Sequence, residues 1–362
     1  MKSIKKIIID KGCNFLCNFD QPISDIINRL NIIDEKFILI IDDNNVLVGT
    51  VTDGDLRRSM LNEQVTLKDK IKKIMNSNPL YGQLNDNEKN IEKLNSLDLQ
   101  NPFLPIVDNR NILVEVIISN KKNIVVNTAL LLAGGKGTRL GNLTIKTPKP
   151  LLNINGESIL KKILIKLEKE GFQNIYISVY YLSNQFENII EKFSSNMNLN
   201  LIKEPFPLGT AGSLGLLPKE LDDNILVMNS DVLTNVNSQN LISLHKKNNN
   251  DITIAAALNK IKIDFGVIEY NENYEFERIN EKPLIENFIN AGLYCLSKPV
   301  INLIKKNQKI DMPELIELSK SAGQKVGIFP MHEDWIDIGR PEDFYKVKDR
   351  EGLNAKKKIS DN

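Results

Sequence analysis

The chain of 362 residues contains few histidine, cysteine and tryptophan residues, with 2 His, 3 Cys and 1 Trp. His245 and His332 cannot build a zinc site of the usual ligand count without help from cysteine. Cys13 and Cys17 are not in a C-x-x-C pair, and Cys295 is distant in sequence. This scarcity argues against zinc and against histidine-based catalysis. An odd number of cysteines without an export signal predicts reduced thiols and a cytoplasmic location.

The chain also lacks an excess of charge of either sign and any long apolar run. Lys plus Arg total 47 and Asp plus Glu total 46, so 47 − 46 gives a formal net charge of +1. Proteins that coat nucleic acids or anionic membranes need a net basic field, so we expect neither partner. The longest apolar runs, at 37–41 and 129–133, are about five residues, whereas a transmembrane helix needs about 20. We therefore expect no transmembrane segment and no signal peptide.

What the chain does contain is an internal repeat near its N-terminus. A strand, turn and strand pattern that begins at Phe37 returns at Phe103, which is 103 − 37 = 66 positions later. The copies are about 60 residues long, which is too long for a small solenoid unit. The repeat predicts two packed modules over 1–62 and 63–122, followed by a second domain over 123–362.

Residues 48–57 (Val-Gly-Thr-Val-Thr-Asp-Gly-Asp-Leu-Arg) resemble the closing strand and helix start of a CBS module. The resemblance implies an α+β CBS domain pair, which commonly binds an adenine or similar nucleotide. The family's Thr-x-x-Asp ribose pattern is matched by Thr52 and Asp55, although the same two residues can simply cap a helix. The second copy has Ile118 and Lys121 at these positions, so at most one complete ribose site is expected. The alternative is a dimerising pair that binds no adenine or guanine nucleotide.

Beyond residue 123 the sequence alternates between short apolar runs and helical stretches. We expect strands over 129–133, 174–179, 224–228 and 251–258, and helices over 157–171, 183–193 and 241–247. This alternation predicts an α/β domain with a Rossmann-like, mostly parallel sheet. In such sheets, ligands bind at the carboxyl ends of the strands.

A glycine-rich basic loop, Leu-Ala-Gly-Gly-Lys-Gly-Thr-Arg-Leu at 132–140, follows the first of these strands. Its glycines allow backbone amides to approach an anion closely. Residues 130–156 contain no acidic residue and four basic ones, Lys136, Arg139, Lys146 and Lys149. This local positive charge predicts a polyphosphate site. The loop is not a Walker A loop, because Gly follows its lysine, and it lacks the third glycine of a dinucleotide fingerprint.

The string at 134–140, with Pro-Lys-Pro-Leu at 148–151, resembles the signature of sugar-1-phosphate nucleotidylyltransferases, and the resemblance extends over about 128–345. These enzymes join a sugar-1-phosphate to the α-phosphorus of a nucleoside triphosphate and release pyrophosphate. The resemblance implies Arg139 and Lys149 as catalytic cations, at the triphosphate and the α-phosphate respectively. It also implies that the nucleotide is held by the loop residues Ala133, Gly134, Gly135, Gly137 and Thr138.

The resemblance implies a Mg²⁺ ion held by two carboxylates. Asp231 follows a predicted strand where the family has a metal-binding aspartate, and Asp337 lies in a Trp-x-Asp-x-Gly pattern. Hard oxygen ligands of this kind suit Mg²⁺. Arg340 departs from the family pattern, which usually has Thr there. The sugar phosphate is expected to contact Gly266, Glu281, Lys282 and Asn290.

The base is expected to contact the segment 204–212, Glu-Pro-Phe-Pro-Leu-Gly-Thr-Ala-Gly. A carboxylate only accepts hydrogen bonds, and guanine offers two adjacent donors, whereas uracil and thymine offer one donor between two acceptors. Glu204 therefore favours GTP. Gly209 and Gly212 would allow close backbone contact with the ring. Thr210 is the remaining residue of this segment that is expected to contact the nucleotide. If Glu204 faces solvent instead, the backbone reads the base.

The expected function is GMP transfer from GTP to a sugar-1-phosphate, in a homo-oligomer that makes a nucleotide sugar for surface glycans. The combination with a CBS pair resembles the glucosamine-1-phosphate guanylyltransferases of the legionaminic acid route, so a hexosamine-1-phosphate is the first expected substrate. Three alternatives stay open: a mannose- or heptose-1-phosphate guanylyltransferase, a uridylyl- or thymidylyltransferase, and a nucleotide-sensing protein without catalysis.

Overall fold

The computed structural model of the chain describes residues 4–10, 13–62, 65–97, 102–119 and 126–349. The chain divides into two compact units, Met1–Asn123 and Ile124–Asn362. The domain boundary expected between 122 and 123 lies in 120–125, outside the described residues. In the described part of the chain, no helix is both long and apolar enough to cross a membrane.

The first unit combines two small sheets with three helices in its described part. Its elements are β1 (Ile4–Ile8), β2 (Leu16–Asn18), α1 (Ile23–Ile32), β3 (Phe37–Ile41), β4 (Leu47–Thr52), α2 (Asp53–Met60), a 3-10 turn (Ile71–Lys73), β5 (Gly82–Gln83), α3 (Asn87–Ser96), β6 (Phe103–Val107) and β7 (Leu113–Ser119). The strand orders are β2-β3-β4 and β1-β7-β6-β5.

The two halves of the first unit share one element order. Each has a short strand, a helix and an antiparallel strand pair, and in each the short strand runs parallel to the first long strand. Phe37 and Phe103, which are equivalent in the sequence repeat, stack with ring centroids 3.9 Å apart in the core. Aromatic stacking between equivalent positions joins the halves through their apolar faces.

Thr52 and Asp55 form the N-terminal cap of α2. The Thr52 amide donates to Asp55 Oδ2 at 2.8 Å, and the Asp55 amide donates to Thr52 Oγ1 at 3.3 Å, which is a capping box. Arg58 pairs with the other Asp55 oxygen. In the second half, Ile118 lies in β7, and Lys121 lies outside the described residues. The CBS identification and its ligand stay predictions.

We expect Asp55→Ala to destabilise the first unit by about 1 kcal/mol, because the Thr52 amide and hydroxyl both lose their acceptor, Asp55 Oδ2. Urea unfolding followed by circular dichroism measures this loss. Arg58→Gln is the matched control, since it removes the exposed partner of Asp55 and keeps the box. Equal stability of the two variants would contradict a capping role for Asp55.

The second unit is built around a seven-stranded sheet. Its elements are β8 (Thr128–Leu132), 3-10 turns (Thr138–Thr144 and Lys149–Leu151), β9 (Asn153–Ile154), β10 (Glu157–Ser158), α4 (Ile159–Lys169), β11 (Asn174–Val179), α5 (Asn184–Lys192), β12 (Asn198–Lys203), α6 (Gly209–Gly212), a 3-10 turn (Ser213–Leu216), β13 (Asn224–Asn229), β14 (Val232–Thr234), α7 (Ser238–Lys247), β15 (Ile252–Lys262), β16 (Gly266–Tyr270), β17 (Phe276–Glu281), β18 (Leu284–Ser297), α8 (Lys298–Ile301), α9 (Met312–Ser321), β19 (Val326–Met331) and β20 (Trp335–Asp337).

The large sheet has the strand order β12-β11-β8-β13-β18-β15-β19. Neighbouring strands are parallel except at β18, which runs antiparallel to β13 and β15. Apolar clusters cover both faces of the sheet, as expected for a mostly parallel arrangement. The α/β class and the mostly parallel sheet predicted from the sequence are confirmed.

Helix α4 packs on this sheet through the apolar positions expected from its sequence. Ile159, Ile163 and Leu167 are fully buried, and the Ser158 side chain caps the helix. The helix begins two residues later than expected, because 157–158 form β10. The turn before β10 is Asn155-Gly156, and both residues have positive φ, at 54° and 96°. An Asn-Gly pair of this kind closes a tight hairpin and delays the helix.

The site residues of the second unit follow from strand pairing. β8 and β13 are parallel neighbours, so the glycine-rich loop and Asp231 both leave the sheet at its carboxyl edge. β14 pairs with β20, and this pairing places Asp337 opposite Val232. Two carboxylates that are far apart in sequence are thereby brought to one edge of the sheet.

Candidate active site

A cavity of about 400 Å³ opens at the carboxyl ends of β8 and β13. The predicted residues that line it are Ala133, Gly134, Gly135, Gly137, Thr138, Arg139, Lys149, Glu204, Gly209, Thr210 and Asp231. Its wall also includes Pro207, Asn229, Ser230 and Gly339, which were not predicted from the sequence. Residues from five separate stretches of sequence therefore meet in one place, and the basic loop forms one side of it.

Lys149 is the buried cation of the cavity. It opens the 3-10 turn after Pro148, and its side chain is 9% exposed. Its Nζ lies 2.5 Å from Asp231 Oδ2 and 3.6 Å from Asp337 Oδ1. A buried ammonium group needs such partners, because its desolvation is costly. The structure thus brings together the expected catalytic lysine and both expected metal ligands.

The two carboxylates keep one acceptor oxygen each. Asp231 Oδ1 and Asp337 Oδ1 are buried, and neither has a hydrogen-bond partner among the described residues. Burial and the neighbouring charge of Asp231 raise the pKa of Asp337, while Lys149 and Arg139 oppose that rise. Two adjacent carboxylates, each with a buried oxygen that accepts no hydrogen bond among the described residues, are a donor set that fits a hard divalent cation.

Glu204 follows β12 and is fixed by two hydrogen bonds. Its Oε1 accepts from the Ser178 hydroxyl at 2.6 Å, and its Oε2 accepts from the Leu208 amide at 3.0 Å. The glycine-rich loop passes directly against this carboxylate, since a Cβ atom at Gly134 would lie 2.7 Å from Oε1. Glu204 thus faces the cavity with one acceptor position left on each oxygen. Ser178 lies in an ordinary strand, and no sequence signal identified it.

The two glycines of the 204–212 segment differ in their surroundings. Gly209 lines the cavity and has a φ of 79°. Gly212 is buried in α6 and is not among the lining residues. A Cβ atom at Gly212 would lie 2.3 Å from the Gln308 carbonyl oxygen. Gly212 therefore lets this segment pack closely against residue 308.

The four residues expected at the sugar phosphate are not among those that line the cavity in the described structure. Gly266 pairs with Glu281 across the exposed β16–β17 hairpin, and Lys282 follows it with a φ of 47°. Asn290 lies in β18, where its Nδ2 donates to the Tyr294 hydroxyl at 2.7 Å. Most of the expected nucleotide residues and Asp231 line one cavity, and Asp337 lies beside Lys149 without lining it. Of the expected sugar residues, three lie in or next to the β16–β17 hairpin, and Asn290 lies in β18 within the large sheet.

Comparison with known proteins agrees with this geometry. The sequence profile of the family described as "Nucleotidyl transferase" matches residues 128–352. Mannose-1-phosphate guanyltransferase beta-B of Xenopus laevis is 32% identical over 224 residues, which cover 60% of this chain and 62% of that protein. Mannose-1-phosphate guanyltransferase of Yarrowia lipolytica is 33% identical over 227 residues, which cover 59% and 61% of the two chains. The chain thus spans less than two thirds of the length of these relatives.

Among solved structures, HddC from Yersinia pseudotuberculosis is similar to the second unit. The superposition has a TM-score of 0.50 at 28% identity, and it covers 62% of this chain and 99% of that one. The family match contains every residue that lines the cavity. With its parallel-rich sheet, its glycine-rich loop and this match over more than half of its length, the chain belongs to the nucleotidyl transferase family.

Proposed function

We propose that the second unit transfers GMP from GTP to a sugar-1-phosphate and releases pyrophosphate. The observation that carries this proposal is the cavity lined by the basic glycine-rich loop, Lys149 and Asp231, with the Asp337 carboxylate beside Lys149 although it does not line the cavity itself. The names of the relatives, mannose-1-phosphate guanyltransferases, support guanylyl transfer to a sugar phosphate.

The reaction brings several phosphate groups together, so repulsion between like charges is its main obstacle. A phosphate oxygen of the sugar-1-phosphate bonds to the α-phosphorus of GTP, and the bond from that phosphorus to the β-phosphate oxygen breaks. The attacking oxygen is already anionic, so the step needs no general base. Positioning and cationic stabilisation of the transferring group therefore supply most of the rate.

The cations of the cavity are suited to this work. Arg139 is exposed at the cavity wall, where its planar guanidinium group can bind two triphosphate oxygens at once. The amides of the glycine-rich loop bind the β- and γ-phosphates. Lys149 neutralises charge on the α-phosphate in the transition state. To do so, its Nζ must exchange the Asp231 carboxylate for a phosphate oxygen.

Asp231 and Asp337 would hold Mg²⁺, and the buried oxygen of each, which accepts no hydrogen bond among the described residues, supports this assignment. When bound, the ion neutralises phosphate charge and orients the triphosphate. In the structure the same carboxylates hold Lys149 in place before the nucleotide arrives.

Selection of guanine is assigned to Glu204. Its carboxylate lines the cavity, and its two oxygens each retain an acceptor position beside the Ser178 and Leu208 hydrogen bonds. These two bonds fix the plane of the carboxylate before a base arrives. That preorganisation favours guanine, which presents two adjacent donors.

The second substrate is the sugar-1-phosphate. The relatives favour mannose-1-phosphate, which is one of the alternatives named from the sequence. Glucosamine-1-phosphate stays a prediction that rests on the combination with a CBS pair. Both have the same anionic nucleophile, so the cavity described above serves either one.

A substrate screen tests the proposal. The full chain is incubated with Mg²⁺, each of four nucleoside triphosphates and each of several sugar-1-phosphates, and pyrophosphate release is measured. We expect kcat/KM for GTP to exceed that for UTP by about tenfold or more, because the wrong base leaves Glu204 poorly paired. Turnover with UTP or dTTP and none with GTP would contradict the base assignment. Binding of GTP without turnover of any sugar phosphate would favour the non-catalytic sensor.

The ligand of the first unit is a separate proposal. Titration calorimetry of the full chain with AMP, and with Asp55→Ala as control, tests whether Thr52 and Asp55 contact a ribose. The capping box occupies both residues, so an Asp55→Ala variant that binds AMP like the native chain would favour a purely structural role. The homo-oligomeric state and cytoplasmic location stay predictions.

A further inference from the structure

The loop 208–212, which contains the single-turn helix α6 and lines the cavity through Gly209 and Thr210, is hydrogen-bonded to a distant segment, 308–312. The Ile310 amide donates to the Leu208 carbonyl oxygen at 3.0 Å. In return, the amides of Ala211 and Gly212 donate to the Ile310 carbonyl oxygen at 3.0 and 3.1 Å. These backbone bonds fix the loop against the segment that leads into α9.

Asp311 makes the side-chain part of this contact. Its Oδ1 accepts from the Thr210 amide at 2.8 Å and from the Thr210 hydroxyl at 3.2 Å. The Met312 amide donates to the same hydroxyl at 2.8 Å. Thr210 lines the cavity and Asp311 does not. Asp311 therefore contacts the cavity wall from behind.

The packing leaves little room for the loop to shift. At Gly209, a Cβ atom would lie 2.6 Å from the Ile310 carbonyl oxygen and 2.7 Å from Asp311 Oδ1. Asp311 is itself held at the start of α9, because its amide donates to Glu314 Oε2 at 3.1 Å. The helix itself is anchored by the buried side chains of Met312 and Leu315.

We propose that Asp311 is a positioning residue for the nucleotide. It acts through Thr210, whose amide and hydroxyl it holds, and so keeps the loop 208–212 in the conformation that receives the base. The Thr210 hydroxyl is occupied on both sides, as donor to Asp311 and as acceptor from Met312. Thr210 thus serves as part of a fixed wall rather than as a mobile hydroxyl donor. This inference rests on the proposed nucleotidyl transfer and adds a residue outside the cavity to it.

Substitutions at Asp311 separate positioning from helix stability. Asp311→Ser keeps an N-cap residue on α9 but cannot reach Thr210, whereas Asp311→Asn keeps the acceptor oxygen. In the full chain we expect Asp311→Ser to raise the KM and the dissociation constant for GTP about tenfold, as for the loss of hydrogen bonds to a charged acceptor. Its kcat, its KM for the sugar phosphate and its melting temperature should stay near the native values. Asp311→Asn should restore most of the affinity for GTP.

Two further variants complete the test. Glu314→Gln is the matched control, because Glu314 contacts the Asp311 amide and not Thr210, and it should bind GTP normally. Thr210→Ala combined with Asp311→Ser should cost less than the sum of the two single losses, since both changes remove the bond between the Thr210 hydroxyl and Asp311. The proposal would be overturned by additive losses of GTP affinity in the double variant or by native GTP affinity in Asp311→Ser. An equal loss of GTP affinity in Glu314→Gln would also overturn it.

The outcome is distinguishable from failure of the proposed function. If the native chain uses another nucleoside triphosphate, only the base assignment fails, and the Asp311 variants are measured with that nucleotide. If the native chain binds none of the four, both the proposed function and the role of Asp311 are overturned.

Discussion

Asp231→Asn is expected to lower kcat by roughly 10³-fold, which corresponds to about 4 kcal/mol of transition-state stabilisation. Two effects of the substitution add. It removes one of two charges from the proposed Mg²⁺ site, and it replaces the anionic partner of the buried Lys149, 2.5 Å away, with a neutral amide. The other carboxylate, Asp337, lies 3.6 Å from Nζ and cannot replace a direct hydrogen bond.

The measurement combines turnover with metal binding. Pyrophosphate release gives kcat, and electron paramagnetic resonance gives the affinity of the nucleotide-free chain for Mn²⁺, which should fall. Asp223→Asn is the matched control. Asp223 lies just before β13, whereas Asp231 lies just after it, and Asp223 is exposed and does not line the cavity. Near-native kcat in Asp231→Asn, or an equal loss in the control, would remove Asp231 from the mechanism.

Much of the cavity was predictable, because parallel strands fix where their ends lie. The sequence predicted strands at 174–179 and 224–228, and the structure has β11 and β13 there. Loops that follow neighbouring parallel strands must meet at one edge of the sheet, so the glycine-rich loop and Asp231 could be placed together. Local sequence signals were sufficient for this part.

The remainder depends on long-range pairing, which local patterns do not encode. Nothing in the sequence of β18 shows that it runs antiparallel between β13 and β15. Ser178 and Asp311 are equally ordinary in sequence, and their roles depend on contacts with residues 26 and 101 positions away. By contrast, the late start of α4 could have been predicted from the sequence, because Asn155-Gly156 is a strong hairpin signal.

The expected sugar contacts show the same limit. Glu281 and Lys282 were assigned to the sugar phosphate through their resemblance to a family segment, and no pattern in the chain gives their distance from the cavity. The structure places them at the end of the exposed β16–β17 hairpin. Their role in binding the sugar phosphate stays a prediction.

Lys149→Met is expected to have two opposite effects, and together they identify what the lysine does. Turnover should fall by roughly 10³-fold, because the α-phosphate loses its buried cation. The affinity of the nucleotide-free chain for Mn²⁺ should instead rise, by about tenfold. In the structure, the ammonium group occupies the space between Asp231 and Asp337, and its charge competes with a divalent cation for these two carboxylates.

Lys146→Met is the matched control for this prediction. Lys146 lies in the same acid-free stretch, is exposed, and is not among the cavity-lining residues, so neither kcat nor Mn²⁺ affinity should change much. Weaker or unchanged Mn²⁺ binding in Lys149→Met would contradict the competition. A rise confined to Lys149→Met would show that the lysine compensates the charge of the carboxylate pair in the free protein and competes with the metal ion for it. Lys149 would then compensate the charge of Asp231 and Asp337 in the free protein, and it would stabilise the transition state once Mg²⁺ and the nucleotide are bound.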